Sequence, residues 1–538
     1  MPTRLERLSK EWQENPGNIP LNSLPVELIH NICSYLEYTE DVQNFRLACK
    51  VFGAVGAEYL LEELHVINKR SVLQRALKIS ENHSVCKNIC SLYYEADILE
   101  PKSSFEAWNR DKMVETTWSS LPLDPTPITT IGDGLILTGR SQRSLSRGIK
   151  KDQMEKEQNE RRLSRSKLLE AYKKYQEYVT DQKSIFEEGF DLECFETYFR
   201  KCYNINQIYV SIGGGTRGRT DMNRHAFRDA MAYPFGDHTK ANGVRQVTNV
   251  LRAAHRAGIA LKYIWVQDVS YRFFLQDEDT MTDIKNALMS LSEFTMDIST
   301  PWADDYGNID AVEMQQAIAT SERGYFHNVL TAMPRLRKLD LSLPKGDHPS
   351  DCITLGSLVG NQTFERLSSI RLFDFNTTED ELKDFLLRHK NTLCFIYFND
   401  VTLAAGSASL FFRAISRQLP RLRRIRLSGD FASAGDLWNF GVPHMDRATR
   451  VAWAMDRYVR KGGPLPGTDE AIAFHVPDPI NHGKPGVGDE DRIDDPEFDQ
   501  DEPDVEPEEW ESIDDEEDLD QELYGLSDDS DEEEDSDF

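Results

Sequence analysis

Four short stretches share one pattern: LRKLDL at 336–341, LSSIRL at 367–372, LCFIYF at 393–398 and LRRIRL at 422–427. Each places apolar side chains at its first, fourth and sixth positions. The fourth and sixth alternate with more polar residues, as in a strand that buries one face. The four stretches begin 31, 26 and 29 residues apart, and helix-like sequence such as TEDELKDFLLRHK (378–390) lies between them. The same unit occurs upstream as Ile205-Ile208-Val210, Leu261-Ile264-Val266 and Leu291-Phe294-Met296, at intervals of 56, 30 and 45 residues that require insertions.

A strand followed by a helix at this period is the signature of a leucine-rich-repeat horseshoe, in which each repeat buries its apolar face only against its neighbours. The repeats are degenerate. The turn asparagine is absent, and its positions hold Pro344, Phe375, Val401 and Asp430, so the turn hydrogen bonds must be met in another way. An ordinary α/β domain with parallel strands is the alternative. In either case Val451, Met455, Tyr458 and Val459 suit a closing helix, and Gly462-Gly463-Pro464 ends it.

Working back toward the N-terminus, residues 68–83 read as a helix, and Ile89, Leu92 and Tyr94 read as a strand. Residues 147–188 read as a long helix with Leu168, Tyr172, Tyr175 and Val179 on one face. Within it Lys150-Lys151 and Arg161-Arg162-x-x-Arg165 fit either a bipartite nuclear signal or a solvated helix face. Residues 19–67 read as three short helices. Ser23 and Pro25 begin the first, which carries Leu28, Ile29, Ile32, Cys33 and Leu36. The second carries Val42, Phe45 and Leu47, and the third Phe52, Val55, Tyr59 and Leu60. Together they hold more apolar side chains than a 45-residue bundle can bury by itself.

The order Leu24-Pro25-x-Glu27-Leu28, Ile32, Tyr35-Leu36, Asp41-Val42, Arg46-Leu47 and Cys49-Lys50-x-Phe52 resembles the F-box in the form common in fungal F-box proteins. The resemblance implies docking on a Skp-type adaptor and, through it, on a cullin ubiquitin ligase. Leu24, Pro25, Leu28, Ile32, Leu36, Val42, Leu47 and Phe52 would supply the apolar contact, and the repeats would hold an unknown target protein.

The expected fold class is therefore α+β/solenoid: a three-helix F-box, a degenerate leucine-rich-repeat horseshoe and a disordered acidic tail. The boundaries are 1–18 for a flexible N-terminus, 19–67 for the F-box, and 68–100 for a helix and the first repeat strand. An irregular insertion (101–146), a charged helical segment (147–200), the repeat domain (201–465) and the tail (466–538) follow. Of the total charge of −30, −28 falls between Asp489 and Phe538, where 29 acidic residues meet one basic residue, Arg492. The rest of the chain is nearly neutral. The tail reads as an inert solubilising segment, as a binder of basic proteins such as histones, or as a strap over Arg424 and Arg426. Ser512 and Ser530 each have an acidic residue three positions on, as acidophilic kinases prefer.

No catalytic set is visible. Gly213-Gly214-Gly215-Thr216-Arg217-Gly218 lacks the lysine of a phosphate-binding loop. Twelve histidines are dispersed, and Cys86 and Cys90 form a lone CxxxC among eight scattered cysteines, so reduced thiols are expected. No cofactor, metal, direct nucleic-acid contact or membrane contact is expected, and the absence of a long apolar run or signal peptide points to the cytoplasm or nucleus. If the repeat leucines point inward, the residues between them form the concave face. Trp265, Arg371, Phe395, Tyr397, Arg424 and Arg426 are then candidates for target capture, because aromatic and arginine side chains dominate binding hot spots. The same aromatics would equally serve to pack beneath long loops. A ligase-independent scaffold or a chromatin-binding protein is the alternative function.

Overall fold

The computed structural model of the protein describes residues 24–36, 39–112, 163–212, 226–234, 243–300, 310–344, 352–433, 435–441 and 446–466. Among these, 16 helices and one ten-stranded sheet are present. Three helices come first: α1 (Val26–Cys33), α2 (Thr39–Leu47) and α3 (Lys50–Gly56). The strands are β1 (Glu63–Ile67), β2 (Ser91–Glu95), β3 (Gln207–Ser211), β4 (Tyr263–Ser270), β5 (Glu293–Ser299), β6 (Lys338–Ser342), β7 (Ser369–Thr378), β8 (Phe395–Ala405), β9 (Arg424–Ala432) and β10 (Leu437–Asn439). They lie in the sheet in the order of the sequence. β1 to β9 are parallel, and β10 returns antiparallel to β9. The protein is thus α/β with an open, mostly parallel sheet.

Sequential order and alternating burial have one cause. The fourth position of every unit lies in register with the next, from Leu64 and Leu92 through Ile264 and Leu339 to Ile425. All nine of these residues are nearly or fully buried, as are the sixth-position residues from Val66 to Leu427. They share one continuous core with helix residues such as Leu73, Phe195, Val250, Ile284, Phe326, Leu382 and Phe412. Each inward aliphatic side chain contributes about 1.5–3 kcal/mol of burial, realised only while its neighbours are stacked beside it.

Two carboxylates in the core are paired with arginine. Fully buried Glu313 accepts from Arg272 (2.9 Å) and from the Tyr271 hydroxyl (2.7 Å). Fully buried Asp191 accepts from Arg245 (2.9 Å) and Asn249 (3.1 Å). Pairing of this kind is what makes burial of a carboxylate tolerable.

The turns answer the question left by the missing asparagines. Asp268, Asp374 and Asp400 adopt φ of 57°, 58° and 52° just after the inward residues of β4, β7 and β8, and Gly429 takes φ 63° in β9. Aspartate tolerates this left-handed conformation better than most residues. Asp400 also does the bridging work: its carboxylate accepts the Asp430 backbone N–H on the next strand (2.9 Å) and the Asn399 amide (2.8 Å). A Cβ on Gly429 would lie 2.5 Å from Asp400 Oδ1, so the approach of the two turns requires glycine there.

Three expectations change. First, β1 falls inside the range read as the F-box. Leu61-x-x-Leu64-x-Val66 follows the same apolar pattern, which the helical reading of the preceding residues concealed, and α3 stops at Gly56, so Tyr59 and Leu60 are not helical. Second, the helix expected from 147 is described from Arg165 to Glu188, and residues 113–162 lie outside the described residues. With Phe190–Lys201 it connects β2 to β3 and packs Tyr175, Ile185 and Phe195 into the main core, so it belongs to the sheet domain. Third, β10 had no counterpart in the expected elements. The closing helix is present at Asp446–Lys461, with Met455, Tyr458 and Val459 buried.

Candidate functional site

Two surfaces concentrate the candidate residues. The first is the α1–α3 bundle. Its core is small and separate from the main one: Ile29, Cys33, Phe52 and Val55, with Leu24, Phe45, Cys49 and Tyr59 packed around them. The Phe45 and Phe52 rings stack at 4.3 Å. Apolar side chains remain outside, with Leu28 40 %, Ile32 40 %, Tyr35 77 % and Leu47 84 % exposed. Leu28, Ile32 and Tyr35 follow helical spacing, which sets them along one stripe of α1 and its C-terminal turn.

The eight residues expected to touch an adaptor therefore divide. Leu28, Ile32 and Leu47 are exposed. Leu24 and Leu36 are half-buried. Pro25, Val42 and Phe52 are buried, and Phe52 is part of the bundle's own core. Val26 and Val51 are exposed apolar residues that the sequence reading did not single out. Amphipathic spacing alone does not say which of two apolar faces meets the bundle core.

The second surface is the sheet face opposite the helices, where side chains form rows across the strands. In one row His65, Tyr93, Tyr209 and Trp265 stand side by side on β1 to β4. His65 meets Tyr93 at 4.9 Å and Tyr93 meets Tyr209 at 6.3 Å between ring centroids. Tyr93 is fully buried and Trp265 is 9 % exposed. Burial lowers the pKa of His65, which holds Glu63 at 2.5 Å. This end of the face is packed.

The same row continues through Thr295, Asp340, Arg371 and Tyr397 to Arg426. Here the side chains are more open. The Arg371 guanidinium lies over the Phe395 ring (5.4 Å) and that of Arg426 over Tyr397 (5.6 Å), while Phe373 meets Tyr397 edge-on at 5.1 Å. Arg424 is exposed beside Phe395 in the neighbouring row. Along the strand entry edge Arg337, Arg366, Arg421 and Arg423 are exposed as well.

Arg371, Phe395, Tyr397, Arg424 and Arg426 are thus brought together on β7 to β9. Trp265 is not with them. It stands three strands from Arg371, roughly 14 Å at the usual strand spacing, and serves packing. Guanidinium groups held over rings are preset donors for carboxylates or phosphates.

Among the described residues no other chemistry-bearing cluster emerges. The depression lined by Lys69, Tyr178, Ala226, Arg228 and Asp229 is an internal clamp. Lys69 Nζ donates to the Ala226 carbonyl (2.7 Å), and the Tyr178 hydroxyl donates to Asp229 (2.9 Å). Burial, and then Asp229, raise the Tyr178 pKa, so the phenol stays protonated. Among the described residues no group of three or more His, Cys, Asp or Glu side chains could hold a metal, and no helix is long and apolar enough to cross a membrane. The glycine run at 213–218, the basic residues 150–151 and 161–162, and Ser512 and Ser530 lie outside the described residues. No known family model matches the chain, and no curated protein matches it.

Proposed function

We propose that this chain is a substrate receptor of an SCF-type cullin ubiquitin ligase. The α1–α3 bundle acts as an F-box that docks on a Skp-type adaptor. The strand–helix array acts as a degenerate leucine-rich-repeat horseshoe, whose β7–β9 face holds a target protein. One observation carries the reading. The bundle has a filled core of its own, yet Leu28, Ile32 and Leu47 remain exposed outside it. Apolar residues collected on one small unit mark a surface that a partner covers.

The receptor makes and breaks no bonds. It raises the effective concentration of a target lysine near a charged ubiquitin carrier bound elsewhere in the assembly. The test is affinity purification with the proteasome blocked, comparing wild type with Leu28→Asp/Ile32→Asp. Adaptor and cullin should co-purify with wild type and be lost from the variant. Adaptor without cullin would favour a ligase-independent scaffold, and neither would remove the reading.

A further inference from the structure

We propose that the chain's own acidic tail, residues 489–538, docks on the arginine–aromatic patch of β7 to β9 and occupies the face that otherwise receives a target. That the occupied face is a target site rests on the receptor reading above; the docking itself rests on four observations.

The first is charge. Arg371, Arg424 and Arg426 stand on the patch, and exposed Arg421 and Arg423 lie at its edge. Asp340, in register with Arg371, is the acidic residue nearest in that row. The tail offers 29 acidic residues against one basic. Attraction between such surfaces is strong at low salt.

The second is side-chain chemistry. The patch pairs guanidinium groups with the Phe395 and Tyr397 rings. The tail interleaves aromatic and aliphatic residues with its carboxylates, as EEWES at 508–512 and DQELYG at 520–525. A segment with that composition can place carboxylates on the arginines and Trp510 or Tyr524 on the rings.

The third is tethering. The closing helix Asp446–Lys461 packs on β9, where Asp456 accepts the Ile425 backbone N–H at 2.7 Å, between Arg424 and Arg426. Leu465 is still anchored in the main core. A linker as long as 467–488, 22 residues, has a coil dimension of about 25 Å, against a patch roughly 10 Å wide at the usual strand spacing. Tethering at this range gives the tail a local concentration of the order of millimolar, so contacts too weak for a free peptide become populated.

The fourth weighs against nucleic acid as the occupant. The tail, which carries −28 of the chain's −30, repels a competing polyanion and is already on the same molecule as the patch.

The test uses the full chain with Tyr397→p-benzoylphenylalanine, irradiated at low protein concentration, with the crosslinked peptides mapped by mass spectrometry. Intramolecular crosslinks into 489–538 are expected. Their yield should fall about tenfold between ~20 mM and ~500 mM salt, and at least about fivefold with Arg424→Glu/Arg426→Glu. The milder Arg424→Gln/Arg426→Gln chain, with thermal unfolding matched to wild type, should lower the yield as well and guards against misfolding of the charge reversal. Crosslinks confined to other segments, to a second copy or to nucleic acid would overturn the proposal, as would a yield unmoved by salt and by both double variants. Adaptor binding by the same chain reports separately. Tail crosslinks without adaptor binding would leave the docking and remove the ligase reading; adaptor binding without tail crosslinks would do the reverse.

Discussion

The α1–α3 bundle and the sheet solve the same burial problem in opposite ways. The sheet has nine parallel strands whose inward side chains stack row on row into one core, and its remaining face is polar, cationic and aromatic. The bundle has a core of four buried residues and leaves aliphatic side chains outside. A surface of the first kind suits exchange: guanidinium groups over rings keep their ring contacts and their access to water when a partner leaves. A surface of the second kind stays exposed only at a cost in hydration, which favours long-lived coverage. Within one chain the two surfaces therefore suit a lasting partner and a transient one.

This contrast can be broken at its strongest point. Phe398, 1 % exposed in the sixth-position row between Leu372 and Leu427, should cost about 3–5 kcal/mol when replaced by alanine. The sheet's unfolding transition should move while adaptor binding at room temperature does not. Ile29→Ala in the bundle should do the opposite, abolishing adaptor binding and leaving the main transition in place. Chemical denaturation read alongside adaptor titration checks both. One shared shift would mean that the two cores are a single cooperative unit.

A smaller effect tests the turns. Gly429→Ala meets both a positive φ and the Asp400 carboxylate, and should cost about 1–3 kcal/mol. Asp400→Asn should cost less than Asp400→Ala, because the amide oxygen can still accept the Asp430 N–H. Equal losses would deny Asp400 its bridging role.

His389 gives the sheet a pH dependence. It is 2 % exposed; its Nε2 accepts the Phe364 N–H at 2.9 Å, and its Nδ1 lies 2.8 Å from the Phe385 carbonyl. Burial lowers its pKa, so the folded chain binds fewer protons than the unfolded chain as pH falls. Its contribution to stability is complete above the unfolded value of about 6.5 and is lost as pH drops through the lowered folded value. The denaturant midpoint of the sheet should fall between pH 7.5 and 5.5, and His389→Gln should flatten that slope. An unchanged slope would place the pH sensitivity elsewhere.

The smallest effect concerns the cationic face. Arg426→Lys keeps the charge but loses the planar stack on Tyr397, and should weaken an acidic ligand by about 0.5–1 kcal/mol. Titration with an acidic peptide probe measures it.

Much of the sheet was legible because its pattern is periodic in one dimension: Leu336, Leu367, Leu393 and Leu422 announce their strands without knowledge of distant contacts. The first strand was not, because Leu61, Leu64 and Val66 follow directly on helical sequence and share its apolar spacing. The turns were legible only as a gap to be filled in another way. The bridging role expected of an asparagine falls on Asp400, one position earlier, and only φ and the contact to Asp430 reveal it. Of the candidate site, the clustering on β7 to β9 followed from alternation, but the fate of Trp265 did not, since exposure depends on what stands across the row. The same limit held in the bundle, where Leu28 and Phe52 look alike in sequence and lie on opposite sides of its surface.

The central claim is that the bare stripe on α1 exists to be covered. Calorimetric titration of full-length chain with a purified Skp-type adaptor tests it most directly. One-to-one binding with a negative heat-capacity change is expected, lost in Leu28→Asp/Ile32→Asp and retained in Arg424→Glu/Arg426→Glu. No binding, or binding indifferent to Leu28 and Ile32, would contradict the account.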